Sequence, residues 1–207
     1  MKNEGLLIVF SGPSGAGKDT ILTQLIGKNP NIRLSVSATT RMPRLGEVDG
    51  EDYFFVSRDR FESMLSNNEM LESAEYCGNY YGTPREPIKK WLSEGLDVVL
   101  EIEVQGAAQI KGKCPDCVSL FILPPSFEIL ERRLRNRKTE NEDTIQKRLN
   151  TARKEIMEAV HFDYAVINDT VEKAVDDINA IICAEKHKLT RDSNLIERVL
   201  NYAETIC

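Results

Sequence analysis

Leu6-Leu7-Ile8-Val9-Phe10-Ser11-Gly12-Pro13-Ser14-Gly15-Ala16-Gly17-Lys18-Asp19-Thr20 is the stretch from which the rest of the chain is read. Leu6–Phe10 are apolar without alternation, which suits a strand buried on both faces, as in a parallel sheet. A glycine-rich turn follows, and Thr20–Ile26 reads as a helix. Strand, turn, lysine and helix in this order make a phosphate-binding loop. Glycine lets successive backbone N–H groups turn inward around phosphate oxygens. The helix N-terminus adds positive partial charge, and Lys18 adds a full charge toward the β- and γ-phosphates. The nucleotide triphosphate site is therefore expected on Gly12, Pro13, Ser14, Gly15, Ala16, Gly17, Lys18, Asp19 and Thr20.

One position departs from the motif. A Ser or Thr hydroxyl usually follows the lysine and ligates Mg²⁺. Here the residue is Asp19. Either Thr20 supplies the hydroxyl, or Asp19 meets the metal directly or through water. Mg²⁺ is the expected cofactor, with Asp19 as its candidate ligand.

Outward from the loop, strand-like apolar runs recur at Val98–Ile102, Val118–Leu123 and Tyr164–Ile167. Helical spacing separates them in Phe127/Leu130/Leu134, in Ile145/Leu149/Ala152/Ile156 and in Val171/Ala174/Val175/Ile178. The alternation predicts an α/β fold, a parallel sheet flanked by helices. Residues 35–90 break the pattern: they are rich in turns and tyrosines, with a β-like piece at Tyr53–Val56 and a helical piece at Arg58–Ser66. They read as an insertion. The core is expected at about 1–34, 91–125 and 160–190, and a helical tail at about 190–207. An arginine-rich segment, Arg132–Arg148, interrupts the pattern a second time.

Length and composition narrow the function. A chain of 207 residues, 41% of them hydrophobic, is one domain with a full-sized core. Its net charge of −6 argues against coating nucleic acid, which takes a basic excess. No run approaches the ~20 apolar residues of a membrane span, and the N-terminus lacks the pattern of a secretory signal. The cytoplasm is the expected compartment. Five scattered cysteines do not form a disulfide framework, and Cys114-Pro115-Asp116-Cys117 lacks the second ligand pair of a zinc site.

The insertion names a second substrate. Ser35–Arg44, Gly46–Gly50 and Asp52–Phe55 resemble the signature of guanylate kinases. Glu72, Gly78–Thr83, Glu101–Gly106, Leu123–Ser126 and the arginine-rich segment match the same family in the same order. The resemblance runs from about Leu6 to about Lys186. It implies a P-loop nucleotide-kinase core, an inserted mixed α/β GMP-binding subdomain and a helical lid at about 133–150. The implied reaction moves the γ-phosphoryl of ATP to GMP, giving ADP and GDP.

By this resemblance, Arg41, Arg44, Tyr53 and Tyr81 hold the GMP phosphate; guanidinium forks match its oxygens. Glu72 accepts the two donors of the guanine edge, and Ser37 and Thr83 donate to O6. Glu103 stands near nucleotide and metal. Lys18, Arg41, Arg133, Arg137 and Arg148 neutralise charge during transfer, and Asn168 contacts the adenine. Nothing named reads the 2′-hydroxyl, so deoxy-GMP is an expected second substrate. Two other readings compete. One is a catalytically silent scaffolding module, against which Gly17-Lys18 and the lid arginines argue. The other is a kinase for a different nucleoside monophosphate, against which Glu72, Ser37 and Thr83 argue.

Overall fold

A computed structural model describes residues 4–76, 78–136, 141–192 and 195–204. Its main sheet is wholly parallel, in the order β2 (Ile32–Leu34), β7 (Asp97–Glu101), β1 (Leu7–Ser11), β8 (Val118–Leu123), β9 (Tyr164–Ile167). The strand that leads into the glycine loop is thus central, with neighbours on both sides. In register, Phe10 faces Glu101 on one neighbour and Ser11 faces Phe121 on the other.

The unbroken apolar character of β1 follows from this place. Successive side chains point to opposite faces, and both faces are covered. Ile8 and Phe10 pack with Ile21, Leu22 and Leu25 of α1 (Lys18–Lys28) and with Ala174, Val175 and Ile178 of α7 (Val171–Lys186). Val9 packs on the other face with Ile88 of α3 (Arg85–Ser93) and with Ala107 and Ile110 of α4 (Val104–Lys113). Burying each such side chain is worth about 1.5–3 kcal/mol.

A second sheet, β4 (Phe54–Phe55), β3 (Ala38–Thr39), β6 (Asn79–Pro84), β5 (Met70–Tyr76), is built wholly from the segment read as an insertion. β5 and β6 pair antiparallel, and β3 pairs antiparallel with β6 and parallel with β4. Its own small core joins Ala38 and Met70 to Phe61 and Met64 of α2 (Arg58–Ser66). The Ser57 hydroxyl caps α2 by accepting from Arg60 N. Gln109 of α4 exchanges two hydrogen bonds with the Ser73 backbone, and Lys113 Nζ donates to Leu71 O at 2.7 Å. These tie the second sheet to the main one across α4.

α5 (Phe127–Asn136) and α6 (Glu142–Met157) pack through Leu130 and Leu134 against Ile145, Leu149 and Ala152. Asn141 caps α6. The lid, expected to end near 150, is continuous with a helix that runs to Met157. α3, α4 and β2 had no counterpart in the pattern of apolar residues. A last helix, α8 (Leu195–Glu204), closes the chain. No helix among the described residues is long and apolar enough to cross a membrane.

Candidate active site

The glycine loop leaves the end of β1 and returns into α1, so its amides sit at the carboxyl edge of the parallel sheet, where such folds bind ligands. Two glycines are required by close approach. At Gly12 (φ +149°) a Cβ would stand 2.4 Å from Ile122 O, and at Gly17 (φ +89°) it would stand 2.4 Å from Asn168 Nδ2. Lys18 Nζ donates to Gly12 O at 2.8 Å and Pro13 O at 3.4 Å, which holds the ammonium over the loop. Ser14, Gly15, Gly17, Lys18, Asp19 and Thr20 line a cleft of about 130 Å³ there. Ala16 and Pro13 are buried beneath it.

Asn168, at the end of β9, supports the loop from behind. It is buried, and its amide donates to Ala16 O at 2.7 Å. Arg133 of α5 donates to the same Ala16 O at 3.3 Å and to Asn168 O at 3.1 Å. Arg148 of α6 donates to Ser14 Oγ at 2.5 Å. Two of the three lid arginines therefore already lie on the loop. Arg137, the third, lies outside the described residues.

A second cavity, of about 260 Å³, opens between the two sheets. Ser37, Tyr53, Glu72, Tyr81, Glu101 and Glu103 line it. Glu72 is 6% exposed and accepts from Thr83 Oγ at 2.6 Å. Burial pushes the Glu72 carboxyl above its ordinary range, and the Thr83 hydroxyl and the positive charge of Lys113 pull the other way. The Thr83 hydroxyl has one proton, and that proton is spent on Glu72. In this arrangement Thr83 orients the carboxylate, and Ser37, Tyr53 and Tyr81 bring hydroxyls to the cavity wall. Gly106, in the first turn of α4, lets the carboxylate approach: a Cβ there would lie 2.9 Å from Glu72 Oε2.

At the phosphate end of this cavity, the Arg41 fork meets Glu47 at 2.8 and 2.9 Å. Arg41 lies over the Tyr53 ring at 5.3 Å and the Phe55 ring at 5.7 Å. Tyr53 and Tyr81 pack edge to face with centroids 6.1 Å apart. Arg44 is exposed, but its backbone N–H donates to Glu47 Oε2 at 2.6 Å. Glu47 is thus the hub of the cationic end, and arginine–carboxylate pairing is the signal that sequence reading left unused.

Glu101 is the other residue that sequence reading passed over. It ends β7, lines the second cavity, and lies beside Asp19 of the loop. Burial, with the charge of Asp19 beside it, pushes its carboxyl up to about 7, against the pull of Lys18. Asp19 of the loop cleft and Glu101 of the second cavity thus bring two carboxylates together between the cavities. Oxygen donors of this kind suit Mg²⁺, which is held by one or two carboxylates plus phosphate oxygens. Among the described residues no group of three or more His, Cys, Asp or Glu forms a cage for a metal alone. Glu103 precedes α4 at its N-terminus and is exposed.

An amide loop for one phosphate chain, facing a buried carboxylate in a cavity with an arginine end, is the layout of a kinase with two nucleotide sites. Comparison with known proteins agrees. The family model described as "Guanylate kinase" matches residues 4–185. A guanylate kinase of Desulfitobacterium hafniense (strain Y51) is 48% identical over 198 residues, 96% of this chain and 99% of that one. One from Lactococcus lactis subsp. lactis (strain IL1403) is 49% identical over 206 residues, 100% of this chain and 99% of that one. Among solved structures, guanylate kinase from Anaplasma phagocytophilum superposes with a TM-score of 0.75 at 36% identity, covering 92% of this chain and 91% of that one. With fold, both cavities and the family model in agreement over nearly its whole length, the chain belongs to the guanylate kinase family.

Proposed function

We propose that this chain transfers the γ-phosphoryl of ATP to GMP, giving ADP and GDP, with deoxy-GMP as a second acceptor, in the cytoplasm. The observation that carries the reading is the buried Glu72, oriented by Thr83 in a cavity that shares Glu101 with the glycine loop. A carboxylate so placed accepts both N1–H and N2–H of guanine. Adenine has no such pair of donors and would leave it buried and unpaired, a mismatch that costs several orders of magnitude in favourable cases.

In this reading the Gly12–Thr20 amides and Lys18 hold the ATP phosphates. Asn168 keeps the loop in shape and borders the nucleotide. Arg41, Arg44, Tyr53 and Tyr81 hold the GMP phosphate; when it enters, Arg41 exchanges Glu47 for phosphate oxygens. Ser37 reads O6. Glu103 lies at the ribose and metal side of the acceptor. Arg133, Arg137 and Arg148 close over the transferred group and exclude water. The acceptor phosphate oxygen is already anionic, so no general base is required. Asp19 and Glu101 would hold Mg²⁺, which when bound neutralises phosphate charge. If Asp19 is a ligand, Asp19→Ala raises the Mg²⁺ concentration at half-maximal rate by about tenfold; an unchanged titration rejects it.

The deciding experiment is a coupled assay of ADP release with Mg-ATP and each of GMP, deoxy-GMP, AMP, UMP and CMP. Turnover with the two guanine nucleotides alone is the expected result. Equal turnover with AMP would overturn the assignment of Glu72, and no turnover in a folded protein that still binds GMP would leave a binding module.

A further inference from the structure

Glu72 stands next to a break in the regularity of its strand. β5 pairs with β6 as Met70↔Pro84 and then Glu72↔Thr83, so Leu71 is one residue extra between two paired positions. An extra residue of this kind bends the strand, stays out of the ladder and re-aims the side chain beside it. β5 is also an edge strand, with β6 on its inner side. The outward backbone groups of a bulged edge need partners from outside the sheet.

They find them on α4. Gln109 Oε1 accepts from Ser73 N–H at 3.2 Å, and Gln109 Nε2 donates to Ser73 O at 2.9 Å. The side-chain amide pairs with the main chain as a neighbouring antiparallel strand would. Lys113 Nζ donates to Leu71 O at 2.7 Å. Gly106, Gln109 and Lys113 follow one another at helical spacing, so they share a face of α4. That face meets all three residues of the bulged segment: Lys113 on Leu71, Gln109 on Ser73, and Gly106 beside the Glu72 carboxylate, where a Cβ would lie 2.9 Å from Oε2. Leu71 is buried in the same cluster as Ala107 and Ile110 of α4 and Val9 of β1. Glu72 is therefore fixed against the core that carries the glycine loop, and not only against its own small sheet.

We propose that Gln109 is a positioning residue for guanine recognition. By pairing with Ser73 it fixes the bulged strand on α4, and so holds the Glu72 carboxylate at the place and tilt where N1–H and N2–H arrive together. Lys113 is the second point of the same clamp. Two parallel hydrogen bonds demand a defined plane of the acceptor, whereas a single one tolerates swing. Loss of Gln109 therefore costs most at the second donor, the 2-amino group. This inference rests on the reading that Glu72 accepts both guanine donors.

The test is steady-state kinetics of the full chain with Mg-ATP and either GMP or inosine monophosphate, which lacks the 2-amino group. The proteins are the wild type, Gln109→Leu, Glu72→Gln and the double variant, with the melting temperature of each as control. Gln109→Leu keeps most of the volume and removes both hydrogen bonds. It should raise the KM for GMP about tenfold and leave the KM for ATP within about twofold. It should narrow the ratio of kcat/KM between GMP and inosine monophosphate about fivefold, because the latter never makes the contact that is lost. Added to Glu72→Gln, the same change should cost about threefold at most, since most of what it positions is gone. A constant ratio while both acceptors weaken alike would overturn the proposal and leave Gln109 as a contact that docks β5. Full additivity in the double variant, or an equal rise in the KM for ATP, would overturn it too. Lys113→Met keeps the stem and frees Leu71 O; it should move the ratio the same way by less, and it decides the matter if Gln109→Leu does not fold. Wild-type protein that used the two acceptors equally would instead sink the reading of Glu72 itself.

Discussion

Glu72→Gln is the sharpest perturbation that the site offers. Gln keeps the volume and an acceptor oxygen for the Thr83 hydroxyl, which stands 2.6 Å from Glu72 Oε1. It places an NH₂ where Oε2 faces the cavity, so two guanine donors would meet one acceptor and one donor. Charge-assisted hydrogen bonds are worth about 1.5–3 kcal/mol each. Losing one and the charge of the other amounts to about 2–4 kcal/mol, or roughly 30- to 1000-fold in kcat/KM for GMP. The fold should not suffer. Burial raises the Glu72 carboxyl in the folded state. A group raised in this way favours folding only below its unfolded value, and that contribution is lost as pH rises through the folded one. Above its folded value the wild type therefore bears the cost of a buried charge that the amide lacks, and the melting temperature of Glu72→Gln should be no lower there. The assay is coupled ADP release with GMP varied at saturating Mg-ATP, then the reverse. A loss below about tenfold for GMP, or an equal loss in the ATP titration, refutes the argument that this carboxylate reads guanine through paired hydrogen bonds.

Three further perturbations bear on the same structure. Gly106→Ala puts a Cβ 2.9 Å from Glu72 Oε2; it should raise the KM for GMP about tenfold with the KM for ATP unchanged, and initial rates against both substrates read the split. Lys18→Ala should lower kcat by about 10²–10³ through loss of charge stabilisation in the transition state, with little change in melting temperature. Glu185, 2% exposed at the far end of the sheet, accepts from the Tyr164 hydroxyl and pairs with Lys188 and Arg191. Burial alone would raise its carboxyl, but these partners outweigh burial and hold it low. Its contribution is thus present above the unfolded value and lost as pH falls. Glu185→Gln should cost about 1–3 kcal/mol by urea unfolding at pH 7, and the gap should narrow at pH 4.

The parts that the sequence displayed are those where one residue type has one use. Glycine, lysine and an apolar strand before them permit little but a phosphate loop, and the structure puts Gly12 and Gly17 where no side chain fits. β8, buried in the sheet, matched its apolar run, and so did β9, an edge strand in which only Val166 is buried. α4 stayed hidden because its buried residues are Gly106, Ala107 and Ile110; small residues there admit Glu72 and the second sheet, and they blur helical periodicity. β2 is three residues long with one buried, too short for any pattern. Glu47 and Glu101 escaped for another reason. A carboxylate on paper is indistinguishable from a solvated one, and only the fold shows which arginine, carboxylate or amide it meets.

Internal acceptors are how a chain of net charge −6 holds cations ready at the two cavities. Four of the cations at the site already have an internal acceptor: Lys18 on Gly12 O, Arg133 on Ala16 O, Arg148 on Ser14 Oγ and Arg41 on Glu47. Side chains held this way lose less rotamer freedom when a phosphate arrives, so part of the ordering cost is met during folding. The acceptors differ in what they demand of the ligand. A carbonyl or hydroxyl can keep its bond while a phosphate joins the same cation. A carboxylate cannot, because like charges repel, so it must move or take up a proton or a metal. In the proposed reading, Glu47 sets that condition at the acceptor phosphate and Glu101, beside Asp19, at the metal side. A ligand must then carry enough charge to displace Glu47 from Arg41, which an uncharged competitor such as water does not.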